Sequence, residues 1–127
     1  MDDIVVTFPG GKRVDAGIGP FVIQTDQEGG APPPFTYCLA ALATCAGIYA
    51  LSYLQARGLS SEGLGLLQTH QADPKTGRIA KVRMTLKVPK GLPEEHVAPL
   101  LRSAEKCAVK KLIENPPTFE ILAERPV

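Results

Sequence analysis

From Phe35 to Ala56 the chain carries no charged residue, and Ala and Leu recur there at helical spacing. Prolines just ahead of this stretch suit a helix start, and Gly58 after Arg57 suits a stop, so one helix is expected over residues 35–57. Its first half is apolar nearly all round, through Leu39, Ala40, Ala41, Leu42, Ala43, Cys45 and Ala46. Polar Ser52, Gln55 and Arg57 come only near its end. A helix of this kind must be covered on most sides. Its longest weakly polar run, Tyr37 to Leu51, falls short of the roughly 20 apolar residues of a membrane span, so it reads as a core helix.

Sheet material flanks it. Ile4 to Phe8 is β-branched and aromatic, Pro9-Gly10-Gly11 supplies a turn, and Arg13 to Ala16 reads as the return strand of a hairpin. Gly17, Gly19 and Pro20 punctuate the chain before a third strand, Phe21 to Thr25, and residues 26–34 read as loop. After the helix, strands are expected at Gly63 to Gln71 and Arg78 to Val88, joined by Asp73-Pro74-Lys75-Thr76-Gly77. In the second of these, Ile79, Lys81, Arg83, Thr85 and Lys87 share one face while Ala80, Val82, Met84, Leu86 and Val88 share the other, which predicts one wet and one buried face. Glu94-Glu95 opens a helical region running to about Glu114, with a break or kink expected near its first turns at Pro99. Thr118 to Ala123 reads as a last short strand.

Strands, a long helix, strands, helices and a strand make an α+β chain rather than a doubly wound one. A sequence of 127 residues with 44% hydrophobic and 21% charged positions fits one compact domain, organised as 1–25, 35–57 and 63–127, that needs no disulfide framework or metal to hold a core. The net charge of +1 argues against strong binding to nucleic acid or to an anionic membrane. The acidic start Met1-Asp2-Asp3 is unlike a signal peptide, and three cysteines suit a reducing compartment, so a cytoplasmic location is expected.

No phosphate-binding loop, dinucleotide fingerprint, zinc-protease motif or C-x-x-C is present, and no cofactor or metal is expected. His70 and His96 have no ligand-spaced partners, and Glu94-Glu95 and Lys110-Lys111 read as helix-dipole compensation and a solvated face. Thiols remain the most reactive groups. Cys38 and Cys45 are seven residues apart on the expected helix, about 10 Å along its axis, too far for a disulfide. Cys107 is then the only intrachain partner for either, and Lys106, Lys110 and Lys111 around it favour a thiolate there. The bland reading treats cysteines as small core hydrophobes, and it is the expectation for Cys38. Residues alone favour it for Cys45 too, although Ala43, Ala46 and Gly47 permit close approach to its sulfur. Tyr49 and Tyr53 share a helical face and read as packing or as pocket lining.

Gly30-Ala31-Pro32-Pro33-Pro34-Phe35-Thr36-Tyr37-Cys38-Leu39-Ala40-Ala41-Leu42-Ala43-Thr44-Cys45-Ala46-Gly47, followed by Ala104-Glu105-Lys106-Cys107-Ala108-Val109-Lys110-Lys111, resembles the OsmC/Ohr family of osmotically induced and organic-hydroperoxide-resistance proteins, in its OsmC-like branch. The resemblance implies antiparallel sheets packed on a long central helix in an intertwined homodimer. It also implies a thiol peroxidase in which Cys45 attacks the peroxide and Cys107 resolves the resulting sulfenic acid as a disulfide. The family's arginine from the first sheet matches Arg13, with Lys12 as the alternative register, and in a dimer Arg13 serves the other chain's Cys45. Family members hold that arginine with a glutamate ahead of the helix, where this chain has Phe35 and Thr36. Thr36 and Tyr49 are the expected substrate-side residues, and Thr36 is a weaker, neutral partner for a guanidinium.

The leading expectation is thiol-dependent reduction of an organic hydroperoxide, with a dithiol such as a lipoyl group as reductant. Two alternatives stand beside it. One is a non-catalytic small-molecule-binding module that kept the fold, and the other is a chain whose thiols only pack.

Overall fold

The computed structural model describes residues 1–126. The chain divides into two compact units, Met1–Ala41 and the part from Leu42 onward, each described by itself below. In the first, strands β1 (Ile4–Gly10), β2 (Arg13–Ile18) and β3 (Phe21–Asp26) form an antiparallel sheet in that order. Gly11 turns the chain between β1 and β2 at φ 58°, a left-handed conformation that glycine adopts without steric cost. The β2–β3 register runs from Arg13 opposite Asp26 to Ile18 opposite Phe21. Thr25 donates its hydroxyl to the Val14 carbonyl at 2.6 Å, so a buried polar side chain finds a partner within the sheet. Tyr37 donates to the Gln24 carbonyl at 2.7 Å.

Helix α1 (Pro34–Ala56) follows as expected. Its end is a Schellman motif: Gly58 at φ 64° donates to Gln55 at 3.2 Å, and Leu59 donates to Leu54 at 2.9 Å. Leu59 also packs against the core that contains Leu54, the apolar contact that commonly closes this motif. By length and composition α1 is apolar enough to cross a membrane. Its stripe Leu42, Ala46, Ala50, Tyr53 and Leu54 is nevertheless buried within the chain's own fold.

In the second unit β4 (Gly65–Ala72) and β5 (Ile79–Lys87) form an antiparallel hairpin. The Asp73 side chain accepts the Lys75 N–H at 2.8 Å, and Gly77 donates to the Asp73 carbonyl at 2.8 Å, as the turn residues predicted. The alternation along β5 holds only in part. Met84 and Leu86 are half-buried, but Ala80, Val82 and Val88 are exposed, because the described packing reaches only one half of that face.

A short 3₁₀ turn, Glu94–His96, leads into α2 (Val97–Ala104), and α3 (Ala108–Glu114) follows after a break. Pro99 does not break α2. It is the third helical residue, where the missing N–H belongs to the first turn and has no intrahelical acceptor to lose. The interruption lies instead at residues 105–107. Thr118 to Ala123, expected as a strand, has no regular secondary structure, since no neighbouring strand edge satisfies its backbone among the described residues.

Leu54 and Leu100, both fully buried, join Ala50 and Tyr53 in the core, with Leu59, Leu64, Leu86, Leu92 and Ala104 around them. The Tyr53 hydroxyl hydrogen-bonds His96 Nδ1 at 2.9 Å, and the Arg57 guanidinium covers the Tyr53 ring at 3.7 Å. The Tyr53–His96 contact docks the start of α2 on α1. Leu100→Ala is expected to cost about 2–5 kcal/mol in denaturant unfolding, since it leaves a cavity in this cluster. Leu67→Ala, at a position 64% exposed, should stay within about 0.5 kcal/mol.

Candidate functional site

On α1, Cys45, Ile48, Tyr49 and Ser52 follow one another at a helical stripe and line an open groove of about 330 Å³. Ile48 and Tyr49 give it an apolar floor. Cys45, half-buried, stands at one end, and Ser52 brings a hydroxyl to the other.

The second sulfur arrives through the break after α2. Cys107 takes an extended conformation (φ −47°, ψ 120°) and becomes the N-cap of α3. Its sulfur accepts the Lys110 N–H at 3.4 Å, and its S–H donates toward the Leu42 carbonyl at 3.7 Å. At 1% exposure it is sealed from solvent. The first turn of any helix has peptide N–H groups without intrahelical acceptors. Here the backbone of Val109 and Ala108 and the Cys107 thiol act electrostatically on the Cys45 sulfur. Both sulfurs thus feel one helix start.

Their environments push them in opposite directions. The Val109 N–H, then the Cys107 thiol and the Ala108 N–H, stabilise a Cys45 thiolate and outweigh its partial desolvation, so its pKa is lowered. Burial pushes the Cys107 thiol up and outweighs the Lys110 N–H, which opposes it, while the neighbouring Cys45 adds to the rise and Val109 opposes it more weakly. This corrects the expectation of a thiolate at Cys107. The neighbouring lysines do not set its state, because burial of the sulfur dominates. It also identifies donors that the sequence reading missed. Peptide groups, rather than a side-chain cation alone, can carry the Cys45 charge, and no residue type announces them.

Arg13 lies in the other unit, on β2, where its Nη2 donates to the Asp15 carboxylate at 2.8 Å. The arginine therefore has an acidic partner two residues along its own strand, on the same face. Arg13 Nε and Asp15 Oδ1 are buried without a protein hydrogen-bond partner. Lys12 is exposed beside it, and Thr36 is exposed in the first turn of α1. Cys38, expected in the core, is exposed, because the buried stripe of α1 begins one turn later at Leu42.

The sign of the Cys45 shift sets a pH dependence. With its pKa lowered in the folded state, the thiolate persists below the ordinary thiol value of about 8.5 and is lost as pH falls through the lowered value. Rates of Cys45 alkylation followed by mass spectrometry should accordingly reach their plateau at a lower pH in the native protein than in the denatured chain. A native titration at or above the denatured one would contradict the hydrogen-bonding account.

Comparison with known proteins gives the family of the chain. A protein of Psychrobacter arcticus 273-4 named for an osmotic stress and detoxification response superposes with a TM-score of 0.73 at 20% identity, covering 87% of each chain. An OsmC-like protein from Mycoplasma pneumoniae superposes at 0.70 with 14% identity over 91% of this chain and 89% of that one. A hypothetical protein from Aquifex aeolicus VF5 gives 0.72 at 10% identity over the same shares, 91% and 89%. At these identities the likeness is one of fold. No curated protein matches the chain. The OsmC-like family itself matches residues 26–122, which include the whole of α1, the hairpin and both sulfurs of the pair, and the chain belongs to the OsmC-like protein family.

Proposed function

We propose that the protein reduces organic hydroperoxides through Cys45 and Cys107. One observation carries this reading: two thiols from distant parts of the second unit act on each other electrostatically, one with its pKa lowered and the other with its pKa raised. Such a split assigns different roles to chemically identical groups. The Cys45 thiolate attacks the terminal oxygen of the hydroperoxide. An S–O bond forms as the O–O bond breaks, the sulfur is oxidised by two electrons to a sulfenic acid, and the alkoxide leaves as the alcohol after taking a proton. Cys107 then condenses with the sulfenic acid, forming the S–S bond and releasing water. A dithiol, by exchange, returns both cysteines to the reduced state and is itself oxidised. Tyr49 and Ile48 supply the apolar groove beside Cys45 that an alkyl group needs, and Thr36 remains a substrate-side candidate.

In this reading Arg13 is the cationic partner of the reacting sulfur, and the family's pairing of arginine with an acid is kept by Asp15. The non-catalytic alternative drew its motive from the missing glutamate at Phe35 and Thr36, and the Arg13–Asp15 contact removes much of that motive. The working form is a homodimer in the cytoplasm, with Arg13 of a second copy serving Cys45. Three features support a second copy. Ile4, Val5, Phe8, Phe21 and Val22 on β1 and β3 are 61–77% exposed. Phe119, Ile121 and Leu122 are more exposed still, in a segment of strand-like composition. Asp15 and Arg13 keep buried polar atoms without partners, which a second chain or a substrate would satisfy.

Stoichiometric treatment with an alkyl hydroperoxide should produce an intramolecular Cys45–Cys107 disulfide, read as a loss of two hydrogens by intact-mass spectrometry. Cys45→Ser should abolish peroxide consumption while leaving the circular dichroism spectrum unchanged. Peroxide consumption that survives in Cys45→Ser excludes the assignment. Sedimentation at micromolar concentration should give a dimer, and a monomer would count against the shared site.

A further inference from the structure

Away from the cysteines, the β4–β5 hairpin concentrates charge of one sign. From Gly65 to Lys87 it carries five basic residues, Lys75, Arg78, Lys81, Arg83 and Lys87, and one acidic residue, Asp73, although the whole protein is balanced to a net +1. Asp73 sits in the turn, where its carboxylate accepts the Lys75 N–H. The two strands themselves contain no carboxylate.

Strand geometry brings two of the cations to one place. Lys81 and Arg83 are two residues apart on β5, so they share a face and lie about 7 Å apart along the strand. The register sets Gln71 opposite Lys81 and Thr69 opposite Arg83, and the Cβ atoms of such pairs are about 5 Å apart. These four exposed residues, with His70, line a recess of about 290 Å³. His70 has the opposite parity on β4, and its Nε2 meets Gln68 Nε2 at 2.7 Å, so its ring is engaged on the other face of the hairpin. An ammonium, a guanidinium, a hydroxyl and an amide are left to frame the recess.

Two cations at this separation repel each other. Among the described residues neither Lys81 nor Arg83 has a carboxylate within ion-pair distance to offset that. An anion placed between them replaces one repulsion by two attractions. The donor set also selects the kind of anion. A carboxylate has one charge and two oxygens, which the Arg83 fork satisfies by itself. A phosphomonoester has close to two charges and three acceptor oxygens, enough to engage a bidentate guanidinium, an ammonium and a neutral donor together. A single recess with two cations is small against the basic tracts that engage nucleic acid or an anionic membrane.

We propose that Thr69, Gln71, Lys81 and Arg83 form a binding site for a small phosphomonoester. Arg83 holds two phosphate oxygens, Lys81 supplies the second positive charge, and the Thr69 hydroxyl and Gln71 amide donate to the remaining oxygen. The site shares no residue with the groove beside Cys45, and no part of the inference uses a thiol, so it stands apart from the peroxidase reading.

Titration of the full chain with phenyl phosphate at constant ionic strength, followed through the backbone amide NMR signals, tests the assignment. Saturable shifts centred on residues 69–71 and 81–83 are expected, with inorganic phosphate shifting the same signals and benzoate, which carries the same ring on a carboxylate, leaving them in place. Arg83→Gln and Lys81→Gln should each weaken phenyl phosphate binding on the order of 10- to 100-fold, the usual effect of losing a charged hydrogen-bond partner. Arg83→Lys keeps the charge but loses the fork, and it should weaken binding by a smaller factor. Arg78→Gln removes an equal charge from the same hairpin outside the recess and should leave the affinity unchanged.

Shifts that grow without saturating, or an equal loss in Arg78→Gln, would overturn the site and leave these cations as a solvated face. Benzoate binding as tightly as phenyl phosphate, or inorganic phosphate binding where the ester does not, would overturn the phosphomonoester class. Tighter binding to a single-stranded oligonucleotide or to vesicles containing phosphatidic acid would assign the face to a macromolecular surface instead. Circular dichroism checks the fold of each variant. If one fails to fold, the wild-type shift map decides, and shifts centred elsewhere exclude the site.

Discussion

One helical turn organises the candidate chemistry. Residues 108–110 at the start of α3 have peptide N–H groups with no place in the helical ladder: Lys110 donates to the Cys107 sulfur, and the backbone of Val109 and Ala108 lowers the Cys45 pKa. Cysteine is an unusual N-cap, and a neutral thiol is a weak acceptor. The turn therefore gains most when one of the sulfurs is charged, and the half-buried sulfur is favoured for that over the sealed one, where desolvation dominates. Opposite shifts in identical side chains follow from this division of N–H groups and solvent.

A similar economy holds in the N-terminal unit. Arg13 and Asp15 lie on one face of β2 because strand residues two apart share a side, and the ion pair is part of the sheet itself rather than a contact made across the fold. Asp15 is nearly buried yet leaves one oxygen unpartnered, and Arg13 leaves one N–H in the same state. Around this pair β1 and β3 present apolar side chains on exposed surface. Groups of these kinds are normally satisfied or covered.

Where the residues themselves set the conformation, the elements could be read in advance. Gly58 ends α1 through its left-handed φ, Asp73 and Gly77 close the hairpin turn, and the uncharged run from Phe35 makes α1. Pro99 misled because its effect depends on position: in the first turn of α2 it removes an N–H that no carbonyl awaits. The true interruption at residues 105–107 has no glycine, proline or strong N-cap to mark it, and it is made by a cysteine that gains its contacts from residues far away in the chain. Thr118 to Ala123 carries the composition of a strand, but a strand needs an edge to pair with, and none of the described residues offers one.

Sequence alone therefore determined the class of the fold, the central helix and the cysteines from which chemistry is expected, since periodicity, turn residues and family-like motifs are properties of short stretches. It could not decide which thiol ionises. Lysines adjacent to Cys107 in the chain pointed there, whereas burial sealed that sulfur and peptide groups some sixty residues from Cys45 gathered around the other. A pKa is set by what lies within a few ångströms, and only the tertiary structure decides which atoms those are.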